Sequence, residues 1–126
     1  MNKYDLEERL IRFAGKIIEM ANSLPNTPVG NHLKGQIVRS GTSPALNYGE
    51  AQSAESRKDF VHKMRVCLKE LRETFVAVKI IKYSSLTEKF DLLEWCYKEN
   101  NELISIFVKS IETALKNKLL KDDLRK

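Results

Sequence analysis

SRKDFVHKMRVCLKELRETFVAV, residues 56–78, is the stretch from which the fold is read. Ser56 and Asp59 stand three residues apart as a capping box, the arrangement that satisfies free amide groups at a helix start. Behind them Phe60, Met64, Cys67, Leu68, Leu71, Phe75 and Val78 recur at three- and four-residue steps. That spacing gathers them on one face of an α-helix of about 3.6 residues per turn. The pattern breaks at Tyr83, Ser84 and Ser85, which predicts a helix over 57–83.

Working outward, the same period governs the flanking segments. Upstream, Leu6, Leu10, Phe13, Ile17, Met20 or Ala21, and Leu24 predict a helix near 6–24, with Asp5 and Glu8 as an acidic variant of the capping box. SLPNTPVGN follows, with two prolines and a glycine, and reads as a connection whose Thr27 and Pro28 suit the cap and first turn of the next helix. That second helix, near 29–52, holds Gly30, Gly35, Gly41 and Gly49, four of the five glycines, and also Pro44. Such a composition is poor for a helix. Leu33, Ile37, Ser40, Pro44 or Ala45, and Tyr48 nevertheless keep the helical step, and the small residues Ser40, Gly41 and Ser43 leave room for a neighbour. A helix kinked or broken near Pro44 is predicted.

Downstream, Ser85 and Glu88 open a fourth helix near 88–118 carrying Leu93, Cys96, Leu103, Phe107, Ile111 and Ala114. Tyr97, Ile104, Val108 and Leu115 widen its apolar stripe beyond the arc of one core face, which implies a second packing partner. The basic end, KNKLLKDDLRK, is expected to fray. Four amphipathic helices with short links, no strand pattern and no repeat predict an all-α fold, an antiparallel up-down-up-down four-helix bundle, as a single domain over 1–126.

Composition bounds function. The chain has 126 residues, 42% of them hydrophobic, enough for a core without a metal or a disulfide staple. Cys67 and Cys96 sit in helical patterns without ligand spacing, as reduced thiols of a cytoplasmic protein do. The opening MNKYDLEERL is charged at once and no apolar stretch reaches membrane-span length, so a soluble protein with no membrane partner is expected.

The net charge of +5 has an address. Residues 57–82 hold eight Lys or Arg and three Asp or Glu, while the remainder holds fourteen of each. Lys58, His62, Arg65, Lys69, Arg72 and Lys79 fall in one stripe about 130° from the apolar face. Two readings compete: an ordinary solvated face, or a surface that tracks an RNA or DNA backbone with little dependence on sequence. Aromatic residues are not interleaved with the stripe, so a base-stacking platform is not indicated.

Catalytic parts are lacking. His32 and His62 have no Asp or Cys at ligand spacing, no phosphate-binding glycine loop occurs, and Cys67 belongs to the core face. Glu50, Glu70 and Glu73 are carboxylates that a bundle interior can hold, but a di-iron site needs Glu-x-x-His pairs and there are none. No enzyme activity, cofactor or metal is expected.

The segment from Gln36 to Glu73 resembles the bacterial four-helix-bundle proteins known as 23S ribosomal RNA intervening-sequence proteins. The likeness rests on Gln36, on Arg39, Ser40, Gly41, Thr42 and Ser43 (RSGTS), on Asn47, Glu50 and Ala51 (N-x-x-E-A), on Ser56, Asp59 and Phe60 (S-x-x-D-F), and on Lys63, Lys69, Glu70 and Glu73. Pro44, Leu46 and Gly49 depart from the usual pattern. The resemblance implies a four-helix bundle assembled into a ring, a homopentamer of the chain with itself, and implies little biochemistry. The family is named after insertions in large-subunit ribosomal RNA genes. A distantly similar group of basic pentameric bundles assists reverse transcriptases in diversity-generating retroelements.

The motif residues also have a physical reading. Arg39, Ser43, Asn47 and Glu50 step by four, four and three along one helix face, and Lys63, Glu70 and Glu73 lie on a flank of the third helix away from the basic stripe. They suit a satisfied polar network that fixes register and oligomer geometry. The plainer alternative is surface pairing such as Asp59 with Lys63.

Overall fold

The computed structural model of the chain describes the backbone of residues 1–125 and the side chains of residues 1–117. It contains four helices, α1 (Lys3–Asn22), α2 (Pro28–Gln52), α3 (Arg57–Ser84) and α4 (Phe90–Arg125), and no strand among the described residues. Each helix packs on the next in sequence, and α4 closes back on α1. Cross-helix contacts fix the directions. Arg39 reaches Glu70 and Glu73 while Glu50 reaches Lys63, so α2 and α3 are antiparallel. Arg57 meets Ala114 while Lys82 meets Glu94, so α3 and α4 are antiparallel as well.

The helix starts follow local chemistry. Asn2 caps α1, accepting from the amides of Tyr4 at 2.9 Å and Asp5 at 3.0 Å, and Asp5 accepts from the Asn2 amide in return. The box therefore forms one turn earlier than Asp5–Glu8. Thr27 caps α2 through the Gly30 amide at 3.0 Å, with Pro28 in the first turn, and Ser56 caps α3 through the Asp59 amide at 3.0 Å. Ser85 does not open the fourth helix. It ends α3 in the left-handed region, φ 55°, and α4 begins at Phe90 after Thr87 accepts from the Lys89 amide. The fourth helix also continues to Arg125, past the expected end near 118. The basic end expected to fray is helical as far as Arg125, and Lys126 lies outside the described residues.

Helix α2 is continuous across Pro44, so the expected break is absent. The reason is tertiary. Pro44 is buried, and the turn before it is made of Ser40 and Gly41, which are buried too. A Cβ on Gly41 would lie 2.7 Å from Cγ2 of Ile17, so α1 and α2 approach closely only because no side chain stands there.

The core runs the length of the bundle, from Leu6, Leu10, Phe13, Ile17 and Met20 through Leu33, Ile37, Met64, Cys67, Leu71 and Val78 to Leu93, Cys96, Leu103 and Phe107. On α3 the buried line is Val61, Met64, Cys67, Leu71, Thr74, Val78 and Ile81. Phe60, Leu68 and Phe75 are only half-buried, which turns the core face away from the position expected for it. Phe75 and Tyr97 face each other with ring centroids 5.1 Å apart, and Ile104, Val108 and Leu115 are half-buried. Part of the excess apolar width of α4 is thus absorbed by α3 in the same chain.

Candidate functional site

The two flanks of α3 hold all the residues singled out in the sequence, apart from those on α2. On the outer flank Lys58, His62, Arg65, Lys69 and Arg72 are exposed. None of them makes an ion pair among the described residues, although Lys69 lies close enough to Glu73 to help lower the pKa of its carboxyl. Lys79 is half-buried with its ammonium 4.6 Å from the Phe75 ring centroid, so it is partly withdrawn from the stripe. Arg65, Leu68, Lys69, Arg72, Glu73 and Val76 line a shallow open groove of about 680 Å³ along this face. One turn further on, Val76, Ile80 and Tyr83 are exposed at 57%, 48% and 87%, so the basic stripe passes into an apolar patch.

The flank toward α2 is different. The Arg39 guanidinium donates to Glu70 at 3.0 Å and to Glu73 at 2.6 Å, a forked contact with two carboxylates one helical turn apart. That hydrogen bond holds the Glu73 carboxyl below its usual pKa, with burial opposing it and the charges of Arg39 and Lys69 assisting. Lys63 pairs with Glu50 at 3.4 Å rather than with Asp59. Asn47 donates to the Ser43 hydroxyl at 2.8 Å and to the Ser43 carbonyl at 3.0 Å, within its own helix. The motif residues are therefore brought to one α2–α3 seam but form three separate groups. The seam lies at the surface of the chain, since the Arg39 side chain is 55% exposed.

Beneath the seam is a buried polar contact that sequence reasoning missed. Thr74 donates to the Ser40 hydroxyl at 2.9 Å, and both residues are fully buried. Thr74 stands between Leu71 and Val78 at the core step, which was the available signal. Asn100 fills the matching step between Cys96 and Leu103. Its amide nitrogen donates to the Leu71 carbonyl at 2.9 Å, and its Oδ1 is buried without a partner among the described residues. Also missed was the Arg9 cluster, in which the guanidinium reaches Glu99 and Glu102 and ties α1 to α4. Hydrogen bonding to Glu99 is the main reason the Arg9 pKa is raised.

Burial pushes the thiols of Cys67 and Cys96 up to about 12, which makes both poor nucleophiles near neutral pH. Cys67 donates weakly to the Pro44 carbonyl at 3.5 Å. Among the described residues no group of three or more His, Cys, Asp or Glu is placed to hold a metal ion, and no helix is long and apolar enough to cross a membrane.

The family model for the 23S rRNA-intervening sequence protein matches residues 2–109. The chain belongs to that family. Among solved structures it is similar to a protein with unknown function from the S23 ribosomal protein family of Bacteroides thetaiotaomicron VPI-5482, at 27% identity and a TM-score of 0.79, over 89% of this chain and 99% of that one. No curated protein matches the chain. In this member of the intervening-sequence family, Arg39, Glu50, Lys63, Glu70 and Glu73 meet on the α2–α3 seam, while Lys58, His62, Arg65, Lys69 and Arg72 are exposed on the other flank of α3.

Proposed function

We propose that the protein is a non-enzymatic, ring-forming homo-oligomer, a homopentamer, whose α3 helices present a repeated basic surface to an RNA or DNA backbone. The observation that carries this reading is the contrast in pairing. Lys58, Arg65, Lys69 and Arg72 share one exposed flank without ion-pair partners among the described residues, whereas the charges facing α2 are paired. Clustered like charges repel one another, and an external polyanion relieves that repulsion while releasing condensed counterions. Assembly is supported by exposed apolar side chains on two helices, Tyr4, Ile11 and Ile18 at seven-residue spacing on α1, and Val76 and Ile80 on α3.

Val76 and Ile80 also favour a second reading, a homo-oligomeric scaffold or protein-interaction module with no nucleic-acid ligand. Titration of purified protein with total cellular nucleic acid over a salt series separates the two. The first reading expects affinity to fall steeply and linearly in log–log form as salt rises. No binding even at low salt selects the scaffold. Light scattering tests the ring, with an expected mass about five times that of the chain; a monomer at micromolar concentration refutes it.

A further inference from the structure

Near its first two turns the outer flank of α3 stops being an open surface. Arg57, Lys58, Val61, His62 and Arg65 from α3, with Leu115 from α4, line a recess of about 250 Å³. Among the described residues no acidic side chain lines it. Arg57 is held in place, because its Nη1 donates to the Ala114 carbonyl at 3.2 Å, and a guanidinium keeps four further N–H donors after that bond. Val61 is buried and Leu115 half-buried, so the apolar side of the recess sets the charged groups against a low-dielectric wall that strengthens their action on an anion. The groove along Arg65, Lys69 and Arg72 also has apolar lining, from Leu68 and Val76, but none of its cations is tied to a backbone carbonyl among the described residues. It is larger and shallower, and Glu73 forms part of it.

We propose that this recess binds a phosphate monoester, with Arg57, Lys58, His62 and Arg65 as the donors and Val61 and Leu115 against the organic part of the ligand. A backbone diester offers two free oxygens and a single charge. A monoester offers three oxygens and a charge of about −1.5 to −2 near neutral pH, which suits converging donors on one recess rather than a line of them along a helix. The inference rests on the reading of α3 as an anion-binding face and names the ligand chemistry at one end of it. The monoester has two sources, the phosphorylated end of a nucleic-acid strand or a free phosphorylated small molecule.

The test titrates the full chain with a single-stranded oligonucleotide bearing either a 5′-phosphate or a 5′-hydroxyl, and separately with inorganic phosphate and adenosine 5′-monophosphate. Strand-end recognition expects the phosphorylated strand to bind about tenfold more tightly. The double substitution Lys58→Gln, His62→Gln brings that ratio near one, whereas Arg72→Gln weakens both strands alike. Binding of inorganic phosphate or the monophosphate that is lost in the Lys58→Gln, His62→Gln protein supports the free-ligand source. That result keeps the recess even where neither strand binds, an outcome that would refute only the nucleic-acid reading. Equal affinity for both strands together with no small-phosphate binding overturns the inference, as does phosphate binding that survives the double substitution. Both substituted side chains are exposed, and an unchanged far-ultraviolet circular dichroism spectrum verifies that the helices persist.

Discussion

Helix α3 carries charge on two flanks and treats it in two ways. Toward α2, Glu70 and Glu73 share Arg39, Lys63 has Glu50, and Thr74 has Ser40 below them. On the other flank Lys58, Arg65, Lys69 and Arg72 stand exposed without ion-pair partners among the described residues. The α2 flank joins two helices of one chain, so its charges are complementary and its variants should change stability. The outer flank has no such task within the chain, so its variants should change binding and leave stability alone. Each substitution below tests that division, and all stability measurements belong at one protein concentration because assembly shifts apparent stability.

The largest loss is expected where the seam depends on shape. Seating α2 on α3 also requires α2 to lie close to α1 at Gly41, where a Cβ would meet Cγ2 of Ile17 at 2.7 Å and Cγ1 at 3.1 Å. Ile17 is fully buried and cannot swing out to solvent. Gly41→Val should therefore destabilise the fold by roughly 2–3 kcal/mol, read from the urea midpoint. A loss well below 1 kcal/mol would show that the α1–α2 approach is not tight.

Next come two buried polar groups that differ in satisfaction. Thr74→Val removes the donor to Ser40 inside a paired contact and should cost about 1 kcal/mol. Asn100→Leu replaces a side chain whose Oδ1 is buried without a partner among the described residues, and the Leu71 carbonyl it releases is an acceptor in mid-helix. This variant should be as stable as the parent or more so, by up to about 1 kcal/mol. A clear loss at Asn100 would mean that its amide fixes the α3–α4 register more strongly than its unpaired oxygen opposes it.

A smaller effect is expected at the ion cluster, because Arg39 is exposed and water screens its pairs. Its signature is the pH dependence. Arg39 holds the Glu73 carboxyl below its ordinary pKa, so the stabilisation is present above the unfolded-state carboxylate pKa and disappears as pH falls through the lower folded-state value. The stability gap between parent and Arg39→Gln should then close on acidification, in denaturation curves run from neutral pH downward. A gap that stays constant with pH would assign the role of Arg39 to packing of its alkyl stem.

How much of this was legible follows from what each feature depends on. The basic stripe needed only the helical period, and Lys58, His62, Arg65, Lys69 and Arg72 are exposed on one flank as read. The core face of α3 was misplaced because Phe60, Leu68 and Phe75 are large and apolar, yet they lie toward its edge, while the polar Thr74 sits at the centre. Arg39 and its two glutamates were placed on facing flanks, but which charges meet depends on the antiparallel register of α2 and α3. The continuity of α2 across Pro44 goes with the burial of that residue against its neighbours, a property of the packed bundle rather than of the local sequence.

The smallest change in stability is expected for Arg65→Gln with Arg72→Gln, and here the contrast between the flanks is sharpest. Both side chains are exposed, and neither makes an ion pair or a side-chain hydrogen bond among the described residues. Their removal takes no favourable contact from the fold and eases repulsion with Lys69 between them, so the urea midpoint should stay level or rise slightly. The mass from light scattering should not move if the ring is built on other contacts. Binding should respond instead, because each lost phosphate contact lowers the log–log salt slope by about one and weakens all sequences alike. In a ring of identical subunits that loss repeats at every copy touching the same strand. A destabilised double variant would place Arg65 and Arg72 in the structural class of Arg39, and a lower mass would place them in the contact between subunits. Unchanged nucleic-acid binding with unchanged mass would leave the outer flank as the docking face of a scaffold.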